Sequence, residues 1–129
     1  MNVKQVLVVR QKYPDKRGGV RSIRAGKLMA QAAHGAMSWM VDKFRHGQPL
    51  TEVEKAWLFD RMTKVCCKVD TEEELLALAA QAHQAGVKCH IVTDMGLTEF
   101  DGECTMTCIA IGPDLAGAID PITGHLSLC

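Results

Sequence analysis

The chain has 129 residues, of which 47% are hydrophobic and 23% are charged, and its formal net charge is zero. This length and composition are typical of one globular domain that buries a core without disulfides or metals, and they exclude a generally disordered chain. No apolar run approaches the roughly 18 residues of a membrane span, and the longest run near the N-terminus is too short for a signal-peptide core. We therefore expect a cytoplasmic protein without a membrane partner, folded as a single domain over residues 1–129.

The six cysteines do not form a pattern typical of a disulfide framework or a zinc site. Only Cys89-His90 and Cys104-x-x-x-Cys108 bring metal-ligand types close together in the sequence. Both lie in strand-like segments, where such neighbours point apart or lie far from each other. We expect reduced, mostly buried thiols, no metal and no other cofactor.

Charge is distributed unevenly along the chain. Residues 4–27 contain eight basic residues and one acidic residue, a net charge of +7 that the remaining residues balance with −7. Such a concentration predicts a localised phosphate-binding surface, and the alternative is a solvated loop whose charges keep it soluble. The candidate substrate-binding residues in this basic loop, about residues 11–25, are Lys16, Arg17, Arg21 and Arg24.

The first predicted element is a strand at Val3–Arg10, whose continuous apolar middle is typical of a central strand covered on both faces. Residues 11–25 follow as a long polar connection, which is usually functional or mobile in a compact domain. This connection leads into a helix that begins near Gly26 and is expected to end around His46-Gly47.

Two faces are predicted for this helix. At 100° per residue, its apolar residues form one stripe that we expect to be buried, while Lys27, Gln31, His34 and Ser38 gather on the opposite side. The stripe consists of Met29, Ala32, Ala33, Ala36, Met37, Met40, Val41 and Phe44. The polar row is either an ordinary solvated face or a row of hydrogen-bonding groups beside a helix N-terminus, which favours an anion.

Capping boxes at Thr51–Glu54 and Thr71–Glu74 predict two further helices. The first is expected to run from Glu52 to about Met62, and the second ends where Gly86 supplies a terminating glycine. A short helical turn is expected after Asp114. These helices alternate with strands, which indicates a layered α/β fold.

The remaining strands are predicted at residues 63–69, 87–93 and 104–111, with Gly112-Pro113 closing the last one. Because no helical crossover precedes that last strand, it is antiparallel or reached by an irregular link. The sequence therefore predicts a three-layer α/β fold, with a four-stranded, mixed and mainly parallel sheet between helices on both faces.

Four polar residues are candidates for chemistry at the ends of these strands, where sites gather in open α/β sheets. Lys27, Gln31, Asp94 and Thr98 supply a cation, an amide, a carboxylate and a hydroxyl. This set suits attack by water on an ester, with Asp94 orienting or deprotonating the water and Lys27 stabilising an oxyanion or binding phosphate. The alternative for Asp-x-Gly-x-Thr is a turn, with a positive φ at Gly96 and Asp94 bonding its own backbone.

The sequence resembles the type II, archaeal and eukaryotic, peptidyl-tRNA hydrolases. The motifs that carry this resemblance are, in order, residues 4–10, Gly26-Lys27 with Ala30-Gln31 and His34, residues 72–76, Asp94-x-Gly96-x-Thr98, Ile111-Gly112-Pro113, Ile119-Asp120 and residues 122–126. The resemblance covers most of the chain. It implies hydrolysis of the ester between a nascent peptide and the tRNA 3′ end, without a metal, by a small domain that is often dimeric.

Carried over by position, Lys27, Gln31, Asp94 and Thr98 resemble the family's catalytic residues. Arg10 and His34 resemble accompanying substrate-binding or supporting residues. The resemblance therefore implies peptidyl-tRNA or tRNA as the partner, and a homodimer as an oligomeric state.

The chain departs from the family's pattern at three places. The basic loop of residues 11–25 is longer than usual and lacks an Asp-Leu-x-Met segment, while Met29 and Met95 stand where alanines are usual. Bulkier side chains near the site are expected to narrow it. The leading function is peptidyl-tRNA hydrolysis, and the alternatives are an inactive paralogue that binds tRNA or RNA and a protein-interaction domain.

Overall fold

The computed structural model describes residues 1–96, 100 and 102–129. Within these residues, the elements in chain order are β1 (Val3–Arg10), β2 (Tyr13–Pro14), β3 (Val20–Arg21), α1 (Ala25–Arg45), α2 (Glu52–Leu58), β4 (Lys64–Val69), α3 (Glu72–Gln84), β5 (Cys89–Asp94), β6 (Thr105–Leu115), α4 (Ala116–Thr123) and β7 (Ser127–Leu128). None of these helices is long and apolar enough to cross a membrane.

The main sheet has the strand order β5-β6-β1-β4-β7. β1 and β4 pair in parallel, whereas β6 is antiparallel to both β1 and β5, and β7 is antiparallel to β4. The prediction of four strands in a mainly parallel sheet is therefore wrong, since the main sheet contains five described strands that pair mostly antiparallel. The reason is that β6 returns directly from β5 without a helical crossover and that residues 127–128 add an edge strand. The antiparallel direction of β6 itself is confirmed.

Helices cover both faces of the sheet, as the three-layer prediction required. On one face, Val6 and Val8 of β1 pack with Ile109 of β6 and with Leu75 of α3 in the largest buried cluster. On the other face, Val9 of β1 belongs to a cluster with residues of β5, β6 and α1. Successive β1 residues thus point to opposite helical layers, which explains why this central strand has no polar alternation in its middle.

α1 presents a different face to the sheet from the predicted one. Leu28, Ala32, Gly35 and Trp39, spaced at helical intervals, turn inward. The predicted apolar stripe is largely exposed, with Met29 70%, Met37 54%, Met40 36% and Phe44 87% accessible. The predicted buried face is wrong because a helical wheel identifies that face from large apolar side chains. Gly35 has no side chain, but it allows the helix to approach the sheet closely.

Several predicted boundaries and local features are confirmed, and other boundaries differ from the predicted ones. Both capping boxes form, each with reciprocal threonine and glutamate hydrogen bonds. α2 ends at Leu58 rather than near Met62, which adopts a positive φ of 51°. β6 continues through the cis Gly112-Pro113 bond to Leu115, and an eight-residue α4 follows where only a turn was expected.

The cysteines and the basic loop also differ from the predictions. Cys67 and Cys108 are buried, but the thiols of Cys66, Cys104 and Cys129 are exposed, so the prediction of mostly buried thiols is wrong for these three. The basic loop contains the small hairpin of β2 and β3. Tyr13 of that hairpin is only 1% exposed, so the loop is anchored to the domain by an aromatic side chain.

Candidate active site

The first turn of α1 meets the carboxyl end of β5 through an ion pair between Lys27 and Asp94. Lys27 is the third residue of α1 and Asp94 is the last residue of β5. The Lys27 Nζ atom contacts Asp94 Oδ2, and their side chains are 20% and 4% exposed. Two residues that are 67 positions apart are thus held together at the strand end where a site was expected.

The Asp94 carboxyl is held in its ionised form. Burial raises its pKa, but the hydrogen bond from Lys27, the Gly96 N–H group and the charge of Lys27 together bring the pKa below its ordinary value. The Gly96 N–H donates to Asp94 Oδ1 over 2.6 Å. Asp94 therefore offers a carboxylate, with one oxygen facing a cation and the other fixed by the backbone.

Gly96 completes a tight turn directly after Asp94. Its φ is +81°, and a Cβ atom on this residue would lie 2.5 Å from the carbonyl oxygen of Glu103. Only glycine fits such a position without a shift of the backbone. The turn considered as an alternative for this segment is present, and it also holds the carboxylate that pairs with Lys27.

Gln31 lies one helical turn after Lys27 and contacts β6. The Thr107 hydroxyl donates to Gln31 Oε1 over 2.8 Å, and Thr107 is 0% exposed. Thr107 is not among the site residues predicted from the sequence. A threonine inside the apolar strand β6 is nevertheless a signal, because a buried hydroxyl requires a partner. The hydrogen-bond partner of Thr107 depends on how α1 crosses β6, and the sequence pattern does not predict that crossing.

Arg10 is fixed at the carboxyl end of β1. Its Nε atom donates to the Lys12 carbonyl over 2.8 Å and its Nη1 atom donates to the Met106 carbonyl over 3.3 Å. The guanidinium lies 4.5 Å from the ring centroid of Tyr13. These contacts hold the charge of Arg10 in one direction with only 7% of the residue exposed.

A cavity of about 690 Å³ opens between the β2–β3 hairpin and the ends of the central strands, and we call it the hairpin cavity. Its described lining includes four basic residues, Arg10, Lys16, Arg17 and Arg21, and three acidic residues, Asp15, Glu72 and Glu103. It also includes Thr105, which pairs with Asp94 across β5 and β6. The hairpin cavity therefore adjoins the Lys27–Asp94 pair.

Two aromatic side chains, Tyr13 and Phe100, line the hairpin cavity. The rings of Tyr13 and Phe100 lie 5.1 Å apart, and the Arg21 guanidinium lies 5.4 Å from the Phe100 centroid. The turn of the hairpin is held by Asp15, whose Oδ1 atom accepts from the N–H groups of Arg17 and Gly19. The basic loop is thus a folded structure with cations stacked on rings.

Three other predicted site residues are Arg24, His34 and Thr98. Arg24 is the exposed N-cap residue of α1, and its carbonyl accepts from the Lys27 N–H group. His34 is exposed on α1 and does not belong to the described lining of the hairpin cavity. Thr98 lies outside the described residues, together with Leu97 and Glu99.

The two methionines that replace family alanines have exposed side chains. Met29 and Met95 are 70% and 65% exposed. Neither belongs to the described lining of the hairpin cavity, and the same is true of Lys27, Gln31 and Asp94. The narrowing expected beside these three residues therefore stays a prediction. Among the described residues, no three histidine, cysteine or acidic side chains are grouped closely enough to hold a metal ion.

Comparison with known proteins assigns the family. The model of the family described as "Peptidyl-tRNA hydrolase PTH2" matches residues 3–129. The chain belongs to this family. A relative named "Peptidyl-tRNA hydrolase" from Thermococcus onnurineus is 36% identical over 97% of this chain and 96% of its own, and one from Methanopyrus kandleri is 38% identical over 97% of each chain. The human "Peptidyl-tRNA hydrolase 2, mitochondrial" is 36% identical over 80% of this chain and 55% of its own.

Membership of the PTH2 family confirms the resemblance drawn from the sequence motifs. The match includes the first strand with Arg10, the α1 segment with Lys27 and Gln31, and the segment around Asp94. The PTH2 match also spans residues 11–25, so the hairpin belongs to the matched domain.

Proposed function

We propose that the chain hydrolyses the ester bond of peptidyl-tRNA and so releases a free peptide and a tRNA. The membership of the PTH2 family over residues 3–129 supports this reaction and makes the chain a carboxylic ester hydrolase. The structural observation that carries the proposal is the ionised Asp94 paired with Lys27 beside the hairpin cavity.

The proposed reaction uses water as the nucleophile. Asp94 orients a water molecule toward the ester carbonyl carbon and accepts a hydrogen bond from it as the new C–O bond forms. Lys27 and the amide of Gln31 stabilise the negative charge that develops on the carbonyl oxygen. The ester C–O bond then breaks, and the proton that the water loses passes by way of the Asp94 carboxylate to the ribose oxygen, which leaves as the tRNA hydroxyl. Thr98 is proposed to hold the water.

The proposed arrangement needs no protein nucleophile. Because the pKa of Asp94 lies below its ordinary value, this carboxylate is a weak base at neutral pH and serves mainly to orient water. The larger contribution is electrostatic, from Lys27 at the N-terminal end of α1, where the helix dipole also favours a negative charge.

The hairpin cavity is the proposed binding site for the acceptor end of tRNA. Arg10, Lys16, Arg17 and Arg21 line it, and Arg24 extends the positive charge to the start of α1. Asp15, Glu72 and Glu103 also line it, so the described lining has four basic and three acidic residues. The Asp15 carboxylate additionally holds the turn of the hairpin through the N–H groups of Arg17 and Gly19. Phosphate groups are the ligands that such a set of guanidinium and ammonium groups prefers. We include His34 as an outer contact for substrate that extends along α1.

We also propose a homodimer formed through the exposed stripe of α1. Met29, Met37, Met40 and Phe44 point away from the domain, and this stripe carries no charged member. A self-complementary apolar face of this kind suits the two-fold contact that most homodimers use. We place the protein in the cytoplasm, because peptidyl-tRNA is produced where translation takes place.

The proposed activity is tested by incubating the protein with a defined peptidyl-tRNA and measuring the released peptide and deacylated tRNA. Turnover in the presence of a metal chelator is the expected result. The lack of release at high protein concentration, with tRNA binding retained, would instead support the RNA-binding paralogue.

A further inference from the structure

A buried hydroxyl of β6 contacts the amide of Gln31. Thr107 is 0% exposed, and its Oγ1 atom lies 2.8 Å from Gln31 Oε1 and 3.4 Å from the carbonyl oxygen of Val92. A hydroxyl without a partner in such a place costs free energy, so its proton is committed to one of these two acceptors. The shorter contact assigns the proton to Gln31 Oε1.

This contact fixes which end of the Gln31 amide faces the site. A glutamine amide has one acceptor oxygen and two N–H donors on opposite sides of its terminal carbon. With Oε1 bound to Thr107, the Nε2 group points away from β6. Within the part of the chain that the structure describes, no residue accepts from the two N–H donors of Nε2. These donors can serve a ligand beside Lys27, which lies one helical turn earlier on the same face of α1.

The close approach of α1 to the sheet makes this contact short. Gly35 lies one turn after Gln31, and a Cβ atom there would be 3.2 Å from Val92 Cγ2 and 3.4 Å from Ala110 Cβ. Ala32, the residue after Gln31, packs against the cluster that contains Val92. The Gln31 side chain therefore occupies a narrow gap between α1 and β6, where Thr107 is in reach.

We infer that Thr107 is a positioning residue of the active site, which holds Gln31 so that its Nε2 donors face the carbonyl oxygen of the ester. The chemical part of this inference rests on the proposed function. The geometric part does not, since it concerns the orientation of one amide. A preorganised neutral donor next to the Lys27 ammonium group would stabilise the oxyanion without reorganisation during the reaction.

Removing the Thr107 hydroxyl allows the amide to rotate by 180° about its last torsion, so that the donors face the site in only part of the molecules. Because the oxyanion develops in the transition state, the loss falls on kcat rather than on KM. We expect Thr107→Val, which keeps the shape of the side chain, to lower kcat by roughly tenfold. Thr107→Ser keeps the hydroxyl and is expected to restore most of the activity.

A double-mutant cycle with Gln31→Ala separates positioning from a merely structural role. Thr107→Val is expected to lower kcat in the wild-type background and to have no further effect in the Gln31→Ala background. An equal fall in both backgrounds would overturn the inference. Gln31→Glu, which replaces both donors by an acceptor, is expected to be as slow as Gln31→Ala, and wild-type kcat for Gln31→Glu would also overturn it.

A readout without substrate keeps the test independent of the proposed activity. In nuclear magnetic resonance spectra of the folded protein, the two side-chain N–H signals of Gln31 are expected to shift in Thr107→Val and to stay in place in Thr107→Ser. Unchanged signals in Thr107→Val would overturn the inference, even if the protein hydrolyses peptidyl-tRNA. Shifted signals in a protein that releases no peptide would support the contact and overturn only the proposed function.

Discussion

Gly35 of α1 lies so close to Val92 of β5 that a Cβ atom on residue 35 would stand 3.2 Å from Val92 Cγ2. Such a separation is shorter than ordinary van der Waals contact, so a side chain here requires Val92 or the helix to shift by a few tenths of an ångström. The same helix carries Lys27 and Gln31 to their partners Asp94 and Thr107. The distance between α1 and the sheet therefore controls the geometry of the proposed site.

Gly35→Ala is expected to lower both stability and activity. The added methyl group overpacks the contact with Val92, which costs about 1–3 kcal/mol of unfolding free energy. It also separates Gln31 from Thr107, so we expect slower peptide release. Denaturant unfolding and the release assay measure the two effects. Gly117→Ala is the matched control, because nothing lies within 4 Å of the added atom in α4. Equal behaviour of the two variants would contradict this role for Gly35.

Glu54 joins α2 to α1 and to the segment before β5. Its carboxylate contacts Lys43 Nζ and lies 2.6 Å from Lys88 Nζ, with only 3% of the residue exposed. Burial raises the pKa of Glu54, but the hydrogen bonds from Lys43 and Lys88 outweigh it and lower the pKa from 4.5 to about 2. Because the folded-state pKa is the lower one, the stabilisation is fully present above pH 4.5 and is lost as the pH falls toward 2.

Glu54→Gln is therefore expected to flatten the dependence of stability on pH in this acid window. Gln keeps the capping-box hydrogen bond, and the contribution that disappears is of the order of 3 kcal/mol at neutral pH. Unfolding measured between pH 2 and pH 7 tests this. Glu52→Gln, whose side chain is 85% exposed on the same helix, is the matched control and should retain the loss of stability in acid that Glu54 causes. If the free energy of unfolding falls equally between pH 7 and pH 2 in Glu54→Gln and in the wild type, Glu54 is not the cause of this fall.

The basic residues of the basic loop are expected to bind tRNA phosphates. Neutralising Arg17, Arg21 and Arg24 should weaken tRNA affinity and reduce the log–log salt slope by roughly one for each arginine–phosphate interaction that is removed. The measurement is a binding titration at several salt concentrations. Lys55→Gln removes a charge from α2, at an exposed pair with Glu52, and serves as the control. An unchanged slope would show that these arginines belong to a solvated loop that does not bind phosphate.

The α1 stripe is expected to mediate the proposed dimer. Met37→Glu and Phe44→Glu place a charge on an exposed apolar face and should shift the protein to monomers in sedimentation equilibrium. Leu76→Glu tests the opposite helical layer, because Leu76 is also an exposed apolar residue, at 46%, but lies on α3. A wild-type protein that is monomeric at high concentration would eliminate this interface, as would dimers that persist in both α1 variants.

Local sequence signals predict most elements of the fold. Both capping boxes form where Thr51 and Thr71 stand, and the continuous valine run of β1 is the central strand. The strand order of the sheet cannot be predicted from local signals, because the position of β6 between β5 and β1 depends on long-range pairing. The predicted orientation of α1 is wrong for a related reason, since the close approach that Gly35 permits exists only against the assembled sheet.

Some residues of the proposed site can also be predicted from the sequence, and others cannot. Lys27 and Asp94 are candidates from the sequence, and the structure brings them into contact. Thr107 is not found from the sequence, because its meaning depends on the crossing of α1 over β6. The stacking of Arg21 on Phe100 likewise joins two segments that no local pattern relates.

The most direct test of the central claim is the rate of peptide release from a defined peptidyl-tRNA by the wild type and by Asp94→Asn. The substitution keeps the size of the side chain but removes the charge that pairs with Lys27. We expect the wild type to turn over and the variant to be slower by about 100-fold or more, with thermal unfolding showing that both are folded. Release by Asp94→Asn at the wild-type rate would contradict the account of the site.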